Sequence, residues 1–244
     1  MRSILVLAFS LGAGGAAAAA TLPPIRVILV GDSTIATGNG YGDALCAGFR
    51  PEVTCINLGA NGRSSSSFRS EGRWDGVHDL LRDGGVFQTS YVLVQFGHND
   101  QPGKKHATDL VTEFPANMAR YAAEIRSLGG VPVLVTPLTR RTFNGPNLHD
   151  TLAPWGAATR KAAVQEGAAL LELNADSAAA VQRMGQAEAD TLAMAPPPDP
   201  NPAGGKVKSQ FDWTHLGPKG ATYFSAMVAR ELAQAVPGIA PYLN

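Results

Sequence analysis

RVILVGDST, residues 26–34, is the stretch that decides the architecture. Val27, Ile28, Leu29 and Val30 form an unbroken aliphatic run, after which the chain changes abruptly to Gly, Asp, Ser and Thr. A strand with one wet face alternates apolar and polar residues, whereas a continuous run belongs to a strand buried on both faces, as in a parallel sheet. Four more runs share this character: VTCINL (53–58), YVLVQF (91–96), VPVLVT (131–136) and ALLELN (169–174). Longer amphipathic segments lie between or after them. The best are 113–129, with Gly129 as a stop, 154–167, and 218–236, which has a proline near its start. This alternation predicts an α/β domain with a parallel sheet of about five strands and right-handed crossovers covering both faces.

The two ends of the 244-residue chain read differently. MRSILVLAFSLGAGGAAAAA (1–20) has an early positive charge, an apolar run too short to cross a bilayer, and small residues at its end, so it reads as a signal peptide with Thr21 starting the mature chain. An uncleaved membrane anchor is the alternative. Residues 21–244 are then one catalytic domain, of a size that buries a sizeable core, and the protein is expected to be secreted, extracellular or periplasmic, as a monomer. The Pro/Gly-rich segment APPPDPNPAGG (195–205) is expected to be a surface loop. Twenty Lys and Arg balance twenty Asp and Glu, which disfavours nucleic-acid or membrane-surface partners, since both select a basic excess. Cys46 and Cys55 are either bridged, as an oxidising compartment permits, or two buried thiols; sequence leaves both open.

In an open parallel sheet, ligands bind beyond the carboxyl ends of the strands, so reactive groups are sought there. The first strand runs into GDST (31–34), the second into GANGRS (59–64), the third into GHND (97–100), and a late loop carries DWTH (212–215). A serine hydroxyl needs a neutral imidazole to take its proton and a carboxylate to fix the imidazole's tautomer. Ser33, His215 and Asp212 supply these, the last two sharing one face of a turn. A tetrahedral intermediate also needs preorganised donors, and the N–H groups of Ser33 and Gly62 with the Asn99 amide fit that oxyanion role.

At these blocks the sequence resembles the SGNH, or GDSL-like, hydrolase family, whose four motifs carry Ser, Gly, Asn and His in this order. The resemblance covers nearly the whole of residues 21–244. It implies a three-layer α/β/α flavodoxin-like fold, with Ser33, Asp212 and His215 catalytic and Ser33, Gly62 and Asn99 forming the oxyanion hole. GRSSSSFRSEGRW (62–74) followed by FGHND (96–100) is similar to the rhamnogalacturonan acetylesterase branch, which implies removal of O-acetyl groups from acetylated pectin, a polysaccharide partner.

Each residue also has a plainer use. Ser33 can cap the following helix, Gly62 can be a turn glycine, Asn99 a turn former, and Asp32 and His98 supports for their loops. Arg63, Arg69 and Arg73 suit the carboxylates of a uronic acid, or else pair with Glu71, Asp75 and other neighbours. Trp213 can stack on a sugar or join the core, and Trp74 fits the core better. The five histidines show no metal-site spacing, and neither GxGxxG nor a P-loop occurs, so no metal or cofactor is expected; the absence of GxSxG argues against the α/β-hydrolase class. Rival readings are an acetylxylan or other carbohydrate or aryl esterase, a lipase, and a carbohydrate-binding protein that has lost the reaction.

Overall fold

The computed structural model describes residues 22–194 and 211–244. The leader assigned to 1–20 and the loop assigned to 195–205 lie outside the described residues. The strands are β1 (Ile25–Gly31), β2 (Val53–Asn57), β3 (Ser90–Gln95), β4 (Val131–Val135), a small hairpin of β5 (Phe143–Asn144) and β6 (Asn147–Leu148), and β7 (Ala169–Leu171). The helices are α1 (Gly42–Ala47), α2 (Ser67–Ser70), α3 (Arg73–Arg82), α4 (Glu113–Ser127), α5 (Ala153–Glu166), α6 (Leu173–Asp190) and α7 (Pro218–Ala235).

Five strands form one parallel sheet in the order β2-β1-β3-β4-β7. Counting only these strands, the order is the flavodoxin-like 2-1-3-4-5. Every residue of β1 is buried, as the aliphatic run requires of a strand flanked on both edges and covered on both faces. Alternate β1 side chains serve opposite layers. Val27 and Leu29 pack with Leu45 of α1, Val181 of α6 and Phe224 of α7; Ile28 and Val30 pack with Val77 of α3, Met118 of α4 and Ala162 of α5. This is the expected three-layer fold.

The run 169–174 departs from the expected strand. Only three residues pair with β4, and the helix begins at Leu173. The ladder ends where the Thr136 N–H reaches the Leu171 carbonyl; three residues later Thr136 Oγ1 accepts the Asn174 N–H, a bond that fits a helix start and not a strand. Cys46 and Cys55 form a disulfide with Cα atoms 5.3 Å apart, tying the end of α1 to β2.

Candidate functional site

Because the strands are parallel, the segments after β1, β2 and β3 emerge on one rim. At the end of β1 the backbone is tightly hemmed: a Cβ at Gly31 would lie 2.5 Å from the Gln95 carbonyl oxygen. The turn that follows is organised by the Asp32 carboxylate. It accepts the Thr34 N–H and hydroxyl, each at 2.8 Å, and the His98 Nδ1–H at 3.2 Å. Behind it, Gln95 Nε2 donates to Thr34 Oγ1 and the Tyr41 hydroxyl donates to Gln95 Oε1. Burial opposes the charge on Asp32, but His98 and the Thr34 donors outweigh it and hold the carboxyl below its ordinary range. Burial pushes His98 down against the pull of Asp32, leaving it a neutral imidazole that donates from Nδ1.

This turn presents Ser33 to the other end of the chain. Ser33 Oγ lies 2.8 Å from His215 Nε2, and His215 Nδ1 lies 2.7 Å from Asp212 Oδ2. The second Asp212 oxygen accepts the backbone N–H groups of Thr214 and His215, each at 2.9 Å. Burial works to raise the Asp212 carboxyl, yet the hydrogen bonds from His215 and Thr214 leave it below its ordinary value, so it stays ionised beside the ring. An ionised Asp212 fixes the proton on Nδ1 and leaves the Nε2 lone pair facing Ser33.

The second and third blocks are clamped together next to this line. Asn99 Nδ2 donates to the Arg63 carbonyl at 3.0 Å. An amide nitrogen carries two hydrogens, so one remains for an incoming oxygen. Gly62 adopts φ 77°, a backbone conformation that suits only glycine without strain. Asp100 locks the two loops, accepting the Ser65 hydroxyl at 2.6 Å, the Ser65 N–H at 3.0 Å and the Thr108 hydroxyl at 2.9 Å. Burial outweighs these donors and pushes Asp100 up to about 6.

Two hollows meet at this place. One, about 400 Å³, is lined by Ser33, Asp212, Trp213, His215, Arg140 and others; the second, about 380 Å³, by Gly62, Arg63, Glu71, Lys105 and His106; Asn99 and Lys104 line both. Ser33, Asp212, His215, Asn99 and Trp213 therefore gather around one hollow, and Gly62 and Arg63 around its neighbour. Arg73 lines neither, and pairs with Glu71 at 3.2 Å. Arg63 holds the same carboxylate at 2.8 Å, and Arg69 is paired with Glu124. The three arginines thus have the plainer use, ion pairs with neighbours. Trp74 is a core residue, its Nε1 donating to Glu124 at 2.6 Å. Among the described residues no group of three or more His, Cys, Asp or Glu could hold a metal ion.

A sequence model of the GDSL-like Lipase/Acylhydrolase family matches residues 29–223, a span that includes all four blocks. The chain belongs to this family. As a GDSL-like acylhydrolase it is a carboxylic ester hydrolase. It is 30% identical over 220 residues to the rhamnogalacturonan acetylesterase RhgT of Bacillus subtilis, covering 86% of this chain and 90% of the relative. The crystal structure of the Bacillus subtilis protein YXIM superposes with TM-score 0.69 at 22% identity, covering 89% of this chain and 58% of that longer one. Axe2, an acetylxylan esterase from Geobacillus stearothermophilus, superposes with TM-score 0.58 at 16% identity, covering 86% of this chain and 93% of its own. At such identities the structural likenesses bear on the fold alone.

The GDSL-like site also rests on two residues that strand-end reasoning passed over, Arg140 and Arg141. Fully buried Arg141 donates to the carbonyls of Asp212 at 3.1 Å and His215 at 2.8 Å, strapping down the DWTH turn. Burial lowers its guanidinium to about 10, still protonated at neutral pH. Arg140 donates to Thr214 Oγ1 at 3.2 Å and Thr151 Oγ1 at 3.0 Å, and also to Gln101. Both follow the end of β4, so the rule that singled out the other blocks also reaches PLTRR (137–141).

Proposed function

We propose that the protein is a serine esterase that removes O-acetyl groups from a polysaccharide, acetylated pectin of the rhamnogalacturonan type, through an acyl-enzyme. The observation that carries this reading is the unbroken hydrogen-bonded line from Ser33 Oγ through the His215 ring to an ionised Asp212. Ser33 attacks the acetyl carbonyl while His215 Nε2 takes its proton. The oxyanion is received by the N–H groups of Ser33 and Gly62 and the free hydrogen of the Asn99 amide. Collapse of the intermediate expels the sugar hydroxyl, which leaves with the proton from His215. Water, deprotonated by the same ring, then attacks the acyl-enzyme and releases acetate. Each oxyanion donor contributes about 3 kcal/mol to lowering the barrier.

The choice of substrate is supported by the name of the relative that matches over most of both chains. The polar lining of the Ser33 hollow suits a sugar better than a long acyl chain, which favours this reading over a lipase. Export of a monomer belongs to the same proposal, and the Cys46–Cys55 bridge supports it because such bonds persist in oxidising compartments. The test is acetate release from acetylated rhamnogalacturonan by the wild type and by Ser33→Ala. Loss of turnover on the order of 10⁶-fold is expected, with release of the p-nitrophenyl group from its acetate ester lost in parallel. A Ser33→Ala protein working at the normal rate refutes the proposal.

A further inference from the structure

The hollow beside Ser33 has a charge that the arginine pairs do not account for. Arg63, Arg69 and Arg73 are matched by Glu71 and Glu124, with Arg63 and Arg73 sharing one carboxylate. Arg63 also donates to the Asn61 carbonyl. Lys104 and Lys105 are exposed, and neither is paired with a carboxylate among the described residues. Lys104 is one of the two residues that line both hollows, so it stands at the divide between the Ser33 hollow and the next.

The segment that carries Lys104 is held at its base. The Lys104 N–H donates to the Gln101 carbonyl at 3.2 Å, the Lys104 carbonyl accepts the Ala107 N–H at 3.2 Å, and the Thr108 N–H closes onto the Asp100 carbonyl at 2.9 Å. Asp100 in turn fixes the loop that holds Ser65, while Asn99 next to it bonds to the Arg63 carbonyl. The ammonium is therefore carried by a loop whose backbone is tied to the oxyanion side of the site. In a chain with no net charge, Arg63, Lys104 and Lys105 against a single Glu71 make the second hollow locally cationic.

Resting on the esterase reading above, we infer that Lys104, with Lys105 beside it, is the specificity-determining cation for this enzyme. It binds the carboxylate of a uronic acid residue of the bound polysaccharide. The acetyl group enters the Ser33 hollow, and the polysaccharide passes Asn99 and Lys104 into the second. The three arginines are held in place by Glu71 and Glu124, whereas the two lysines have no carboxylate partner among the described residues, so the lysines are the cations free to turn toward a substrate. An ammonium reads charge without demanding the bidentate geometry of a guanidinium, so the site tolerates a range of approach angles of the uronate.

The experiment compares kcat/KM for acetate release from an acetylated rhamnogalacturonan oligosaccharide and from the same oligosaccharide with its uronic acids fully methyl-esterified, which keeps the sugars and removes the charge. The wild type prefers the free acid about three- to fivefold at low salt, the scale of one exposed ion pair. That preference shrinks as ionic strength shortens the screening length below about 10 Å. In Lys104→Gln the preference disappears through a rise in KM for the acid, and Lys104→Arg restores most of it. An equal ratio of the two substrates in wild type, or a ratio unmoved by Lys104→Gln, overturns the inference while leaving the esterase reading intact. Failure of the wild type to deacetylate either substrate overturns the reading on which it rests.

Discussion

Two aspartate–histidine pairs face each other across this site, built from the same two side chains. In Asp212–His215 both partners keep about a third of their surface, and the ring's second nitrogen meets the Ser33 hydroxyl. In Asp32–His98 the side chains are 0% and 3% exposed, and the second nitrogen, Nε2, has no partner among the described residues. The carboxyl is held low in each pair, so the charge on the aspartate does not separate them. What separates them is access. The His215 ring, about a third exposed, can exchange a proton with a substrate and with water, while the His98 ring keeps only 3% of its surface, although His98 also lines the Ser33 hollow, and holds the Asp32 carboxylate in place. The comparison teaches that an Asp–His contact is not itself a sign of acid–base chemistry; the position of the second nitrogen assigns the role.

The widest separation is expected in activity. His215→Ala lowers kcat on the order of 10⁶-fold with little change in the urea unfolding midpoint. A variant retaining more than a hundredth of wild-type kcat would break the proposed contrast. The buried pair should behave in the opposite way. His98→Leu leaves Asp32 as a buried carboxylate without its imidazole and costs about 3–5 kcal/mol of stability by urea unfolding. Its kcat, measured under folded conditions, should stay at least a thousandfold above that of His215→Ala. Equal losses of activity in the two variants would show that both pairs serve the reaction.

Asp100 sharpens the comparison from the side of charge. Asp32 is held low, so its contribution is present above the ordinary carboxylate range and lost as pH falls through the folded value. Asp100 has the opposite sign. Its carboxyl rises from 3.8 to about 6, so between these values the folded chain holds a proton that the unfolded chain has lost, and stability falls as pH rises through the window. Asp100→Asn removes this penalty. Relative to wild type, its unfolding free energy should improve by about 2 kcal/mol between pH 4 and pH 7. Parallel pH profiles for the two proteins would exclude the assigned titration.

Much of the fold was legible because a strand buried on both faces leaves an unmistakable aliphatic run. Runs 26–30, 53–58, 91–96 and 131–136 each became a strand within a residue or so of the expected ends. The run 169–174 misled because its last residues, Glu172, Leu173 and Asn174, suit a strand end and a helix start alike, and only the bond from Asn174 to Thr136 decides between them. Helix α6 gave little warning, being rich in small residues and interrupted at Gly185. At the site, the four blocks were visible as polar clusters at strand ends. Arg141 was not, since a fully buried arginine looks like any other in sequence and its carbonyl partners lie about 71 to 74 positions away.

By itself the sequence determined the layered α/β architecture and the chemical inventory of the rim, because periodicity and residue type are local properties. It left open whether Cys46 meets Cys55 and whether the arginines face substrate or neighbouring carboxylates, and it named His215 as the partner of Ser33 without showing that the two meet. Only the tertiary structure decided these. Each depends on a distance between residues far apart in the chain: Ser33 and His215 are 182 positions apart and their reactive atoms 2.8 Å apart, a contact set by the packing of α7 and its preceding loop against the sheet.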